Sequence, residues 1–245
     1  MNMMYMYTFI KQIAVLFPTF ILIFTTRGFV QALAAHCVGD DTPQENGFLT
    51  LNPLAHIDIL GTFMLATIFA VLYKLDGSGG GFLGALLILG LVSLFFGVRP
   101  YYPVTYDARN FKWEKLGVVI TTLATTVSYL LLTLLAMYAL VYSHYFIGAT
   151  PAFLIIKQIT ESIIEWAMVW AVISLIPVPP FDAGALLPVF FGEIGQEIHD
   201  TLEPYGLFIF MGLFCLPGVK DLFLYGINVV HFYLYHGLMY LVVLP

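Results

Sequence analysis

Residues 27–62 read RGFVQALAAHCVGDDTPQENGFLTLNPLAHIDILGT, and the reading of this stretch decides the rest. It opens inside an apolar run of about residues 8–38 that is interrupted by Pro18 and carries the polar cluster Thr25, Thr26 and Arg27. At Gly39 the run gives way to an acidic loop that lasts to Asp58, and a second apolar run begins at 59. Positions four apart on a helix share a face, so Arg27 and Gln31 look the same way, with Gly28 beside them.

The composition names the solvent. Of the 245 residues, 60% are hydrophobic and only 10% charged, and the mean hydropathy is +0.93, which belongs to a chain living in lipid rather than to a water-soluble domain. Nine Lys and Arg against fifteen Asp and Glu leave a net charge of −6, and the bases are scattered or confined to one loop, so a nucleic-acid surface has no support. Cys37 and Cys215 sit in apolar stretches without metal-type spacing and read as packing residues.

The run 8–38 lacks the short apolar region and small-residue cleavage site of a secretory leader and is read as a retained helix. Runs at 59–75 and 82–98 are joined by the flexible turn KLDGSGGG, and at 17 residues the second of these is at the lower limit for crossing. Longer runs follow at 116–143 and 150–176, then two more at 204–216 and 222–244. The expected organisation is therefore one transmembrane domain over residues 1–245, an all-α polytopic membrane protein, with a short β-hairpin near 99–106 around Arg99, Pro100 and Pro103. The segment 99–115 holds four of the nine basic residues, which assigns it to the cytoplasmic side.

Val38 to Thr62, VGDDTPQENGFLTLNPLAHIDILGT, resembles without a gap the loop of the short bacterial site-2 proteases, the intramembrane zinc metalloproteases of peptidase family M50. Leu175 to Asp182, LIPVPPFD, is similar to that family's Leu-Ile-Pro-Ile-Pro-Pro-Leu-Asp, and Leu202 to Gly206, LEPYG, to the opening of its last helix. The resemblance implies a site-2-protease-like transmembrane core and puts Asp182 at the place of a zinc ligand. It also puts Arg27, Gly28 and Gln31 where the family has the His, Glu and His of His-Glu-x-x-His. In that motif two histidines on one helical face hold zinc and the glutamate serves as base to its water. Arginine stays protonated, glutamine is a poor zinc donor and glycine has no side chain, so this motif is degenerate here. Further along, Ala124 to Tyr129 lacks the family's glycine, proline and asparagine, and Ser174 replaces another asparagine.

Other polar residues have plainer readings. His56 and Asp58 belong to the loop motif and are expected to cap the loop and start the next helix, against an alternative as replacement ligands with Asp182. Lys157, Glu161 and Glu165 fall at i, i+4 and i+8, a neutralised face or an intramembrane stripe that meets a partner. His231 and His236, five apart, do not share a helical face. Arg27 and Asp182 are expected to form an ion pair where the family has its metal.

From these letters the chain is expected to be a pseudoprotease, not an enzyme, with no cofactor. Its expected place is the bacterial inner membrane, in lipid and in complex with other integral membrane proteins, as a binding, regulatory or structural subunit. Two alternatives stand beside this: an active metal-dependent protease with non-standard ligands, and a small transporter or channel lined by Arg27, Asp182 and Glu165.

Overall fold

The computed structural model describes residues 3–75, 102–148, 150–179 and 181–203, with isolated positions between 218 and 237. The expected runs at 82–98 and 204–216, and most of 222–244, lie outside the described residues. In chain order the helices are α1 (Met3–Val38), α2 (Thr42–Glu45), α3 (Pro53–His56), α4 (Ile59–Leu75), α5 (Glu114–Ile147), α6 (Pro151–Ser174) and α7 (Leu187–Leu202). Short 3-10 turns at Ala108–Asn110 and Asp182–Leu186 precede α5 and α7.

Among the described residues, which are mainly helical and without strands, Phe9–Val38 and Glu114–Ile147 are long and apolar enough to cross a bilayer, as fits an all-α membrane protein. At 1.5 Å per residue each exceeds the roughly 30 Å hydrocarbon layer, so tilt or overhang takes up the difference.

Helices α1, α5 and α6 form the core. From α1, the ring of Phe20 meets Trp166 edge-on at 5.4 Å, and the ring of Phe24 meets Trp170 at 5.3 Å. Ile23, Tyr129, Leu132, Ala167 and Ala171 fill the space between the helices. The pairs 20–166 and 24–170 advance together, so α1 and α6 run in the same direction.

A second feature of this core is its hydroxyls. Thr19, Thr25, Thr133 and Thr160 donate to the carbonyl four residues back, and Thr125, Ser128 and Ser174 to the carbonyl three back. Without water a hydroxyl must find its acceptor inside the protein, and the helix's own carbonyls are in reach. Two hydroxyl pairs also link helices, Thr19 to Ser162 at 3.3 Å and Thr126 to Ser174 at 2.8 Å.

The loop after α1 is built by its first two residues. Gly39 adopts φ +113°, its N–H donates to the His36 carbonyl, and the Asp40 N–H donates to the Ala35 carbonyl. Together these occupy two of the last carbonyls of the helix and reverse the chain, a closure for which glycine is the least strained residue.

Asp40 itself is fully buried and accepts four hydrogen bonds: from the Thr42 hydroxyl at 2.6 Å, the Thr42 N–H at 3.2 Å, the Asn110 side chain at 2.8 Å and the Asp107 N–H at 2.8 Å. Burial by itself would raise its pKa; the hydrogen bonds outweigh that and hold the carboxyl below its ordinary value, so it stays ionised.

These contacts explain why residues 102–107 differ from the expected hairpin. The segment is extended, but the Tyr102 N–H donates to the His56 carbonyl, the Thr105 hydroxyl accepts from Asn46, and the Asp107 N–H goes to Asp40. Its hydrogen bonds are spent on the loop, and among the described residues there is no strand; residues 99–101 lie outside the description.

Replacing Asp40 by Ala leaves these donors without an acceptor, each at about 1–3 kcal/mol where water is excluded. Asp40→Ala is expected to destabilise the protein by at least about 2 kcal/mol and to speed amide hydrogen exchange selectively over residues 102–112. Unchanged exchange there would show that the carboxylate does not hold the segment.

Candidate functional site

The site lies where α1, the loop after it and the turn following α6 converge. Arg27 sits eleven residues before Val38, about 16 Å along the helix from that end. Its guanidinium, 5% exposed, donates from Nη2 to Oδ1 of Asp182, whose side chain is 9% exposed. Asp182 opens a 3-10 turn packed so closely that a Cβ on Gly184 would stand 2.7 Å from the Pro179 nitrogen. The pair thus fastens the middle of α1 to the segment following α6.

His56 approaches the other side of Arg27's neighbour. A Cβ on Gly28 would lie 2.2 Å from His56 Nδ1 and within 3.0 Å of two ring carbons, closer than real atoms come. The imidazole occupies the space that any side chain at position 28 would need. Its Nε2–H donates to the Thr50 carbonyl at 2.7 Å, which leaves Nδ1 as a bare, buried acceptor without a hydrogen-bond partner among the described residues. Burial lowers the His56 pKa; the bond to Thr50 raises it and the charge of Arg27 lowers it, and the balance is a pKa below the usual histidine value. The ring is neutral near neutral pH.

Tyr106 closes the site from the extended segment. Burial raises its pKa, the Asp182 charge adds to the rise, and Arg27 and a hydrogen bond with Thr122 act the other way. Its phenol is therefore neutral. Gln31 is buried on α1, one turn beyond Arg27.

Other residues singled out by the sequence are placed elsewhere. Asp58 Oδ1 accepts from the N–H groups of Leu60 at 3.0 Å and Gly61 at 3.3 Å and so caps α4. Asn52 does the same for α3, accepting from Leu54, with Pro53 at the first helical position. Lys157 and Glu161 pair at 3.7 Å on α6, and Glu165 lies exposed one turn further on. His231 lies outside the described residues. Sequence reasoning missed Tyr106, the fit of His56 on Gly28, and Asp40. Only Asp40 had a local signal, an Asp two residues before Thr42 just after a helix-ending glycine.

The chain is 28% identical to "Putative zinc metalloprotease YwhC" of Bacillus subtilis (strain 168) over 201 residues, covering 81% of this chain and 79% of that protein. No family model matches, and no solved structure matches. The similarity supports a site-2-protease-like relationship. It corrects the expectation that the chain is no enzyme, because the relative's name points to a protease. The missing motif letters describe one stretch of α1 and do not decide the reaction.

The zinc that the relationship brings with it can be tested against these residues. Asp182 could ligate, but its carboxylate is held by Arg27, a cation that cannot coordinate. Position 28 has no room for a carboxylate while His56 is docked on it. Among the described residues no group of three or more His, Cys, Asp or Glu is placed to hold a metal ion. The residues around Arg27 do not fit zinc, and no reaction step is derived through it.

Three outcomes follow. Arg27→Leu and Asp182→Leu should each destabilise the protein, by about 3–5 kcal/mol if the surviving charge stays buried, and the double change should cost clearly less than the sum. Additive losses in a double-mutant cycle would show that the two charges do not depend on each other. Gly28→Ala should cost about 1–3 kcal/mol from overpacking and be rescued in part by His56→Ala; no rescue would place the ring elsewhere. Because the folded-state pKa of His56 is lowered, its contribution to stability is complete above the unfolded value near 6.5 and is lost as pH falls from there through the folded value. The melting temperature in detergent should therefore drop as pH falls below about 6.5, and His56→Gln should flatten that dependence.

Proposed function

We propose that the chain is a site-2-protease-like protein of the bacterial cytoplasmic membrane that works as a subunit of a membrane protein complex and binds another membrane protein along α6. One observation carries the reading. Glu165 lies beside Trp166, whose ring packs on Phe20, and Phe20 is eleven residues from Phe9 and eighteen from Val38 in the spanning part of α1. That is roughly 16 Å and 27 Å along the helix from the two ends, so Glu165 stands at membrane depth. It is exposed, while its neighbours Ile163, Ile164, Ala167 and Met168 are buried.

A charged side chain facing hydrocarbon at the centre of a bilayer costs about 2.5–3.5 kcal/mol on insertion scales. A partner helix that donates a hydrogen bond or a cation removes that cost. Lys157 is committed to Glu161 and lies two turns away, toward the Phe9 side. The stripe 157–161–165 gives a partner both a register mark and a polar anchor. The relationship to a zinc metalloprotease makes proteolysis of the bound partner the reaction to assay first. The channel reading draws on Arg27 and Asp182, which the ion pair ties to each other.

A photoreactive amino acid placed at 165 in native membranes should give a discrete adduct with a second membrane protein, whereas the same probe at Leu131, exposed on α5, should react with lipid. Glu165→Leu should lower recovery of that partner in mild detergent. Adducts at 165 only with lipid, or only within this chain, would reject the proposal.

A further inference from the structure

Helix α7 exposes a group of large apolar side chains. Phe190, Phe191 and Ile194 are each more than 60% exposed, and Ile198 is exposed as well. The helix is bent at Gly192, where φ is +60°. Beyond the bend Ile194 and Ile198 are four apart and share one face, while Glu193, Glu197 and Asp200 share another.

The position of the helix relative to the membrane follows from its first turn. Val189 and the preceding Leu186 pack on a cluster of Ala35, Phe111 and Val118, which belong to the last turn of α1 and to the turn and first residues of α5. Those are the ends of the two spanning helices, so α7 begins at the boundary between lipid and water, on the side that carries Arg109, Lys112 and Lys115.

We infer that α7 lies in the plane of this boundary as an interfacial helix, with Phe190, Phe191, Ile194 and Ile198 sunk among the acyl chains and Glu193, Glu197 and Asp200 in water. The occupant of the apolar face is the bilayer that α1 and α5 already cross, and the interface is continuous with theirs. The acidic polar face sets the lipid class. It repels anionic headgroups, so the anchor is hydrophobic and suits a zwitterionic surface, unlike the basic interfacial helices that read anionic lipid. Through the Asp182–Leu186 turn the anchor is joined to the Arg27 site, so the depth of α7 in the lipid sets the height of Asp182 beside α1.

The test is spin-label accessibility in phosphatidylcholine nanodiscs, using the full chain with Cys37→Ala and Cys215→Ala and single cysteines introduced along α7. Labels at 190, 194 and 198 should relax faster with oxygen than with a polar nickel complex, and labels at 193 and 197 the reverse. Labels at 131 and 135 on α5, where Leu131 and Leu135 are exposed, serve as the lipid reference. Nickel dominance along all of α7 with oxygen dominance at 131 and 135 would overturn the inference and leave the membrane reading intact. Labels at 190 and 194 closed to both reagents would overturn it too, by showing protein on that face. Nickel dominance at 131 and 135 would overturn both.

Discussion

A guanidinium and a carboxylate that meet away from water hold the site together. Arg27 and Asp182 each would be costly alone in a medium of low dielectric constant, and each makes the other tolerable. Their meeting fixes the rotation of α1, because Arg27 must point at the turn after α6. That rotation then sends Phe20 and Phe24 toward Trp166 and Trp170, and turns Gly28 toward the His56 ring. A metal ion shared between a helix and a loop would impose the same restriction by coordination. Here a charge-assisted hydrogen bond supplies it, with direction.

The water-side end is organised by a different rule. Near Val38 the chain must leave the helix, return as α3 and α4, and accept the segment that leads into α5. Gly39 closes the helix, Asp40 gathers four donors, and Asn52 and Asp58 start the next two helices. Asp40, Thr50, Asn52 and Asp58 of the loop each accept from backbone N–H groups that would otherwise lack partners. Its local sequence is a set of helix stops and starts and reads as architecture before it reads as chemistry.

Much of this is legible in the residues, and the limits have physical causes. The apolar runs announce α1, α4, α5 and α6, because lipid demands length and hydrophobicity and both are written in the letters. The caps at Asn52 and Asp58 are local patterns. The approach of Arg27 to Asp182 follows from the resemblance and from electrostatics, since two charges in lipid have few alternatives. His56 on Gly28 is not legible: nothing in a glycine says which ring will lean on it. The hairpin expected near 99–106 fails where described because extended chain pairs with whatever acceptors are nearest, and Asp40 and the His56 carbonyl are nearer than a second strand. The expectation of no enzyme fails for another reason. It takes the loss of ligands at one place as a statement about the whole molecule, and the relationship to a zinc metalloprotease points the other way.

The partners of the ion pair are 155 residues apart in the chain. At synthesis rates of about 5–20 residues per second, Asp182 is made roughly 8–30 s after Arg27. For that interval α1 resides in or beside the insertion machinery with an unneutralised guanidinium about 16 Å from its Val38 end, where only the headgroups or water can serve it. The charge on the first helix thus waits for a carboxylate made 155 residues later. A ribosome that stops anywhere before codon 182 leaves a nascent product whose first span carries a lone cation, a mark by which membrane quality control can separate unfinished chains from finished ones.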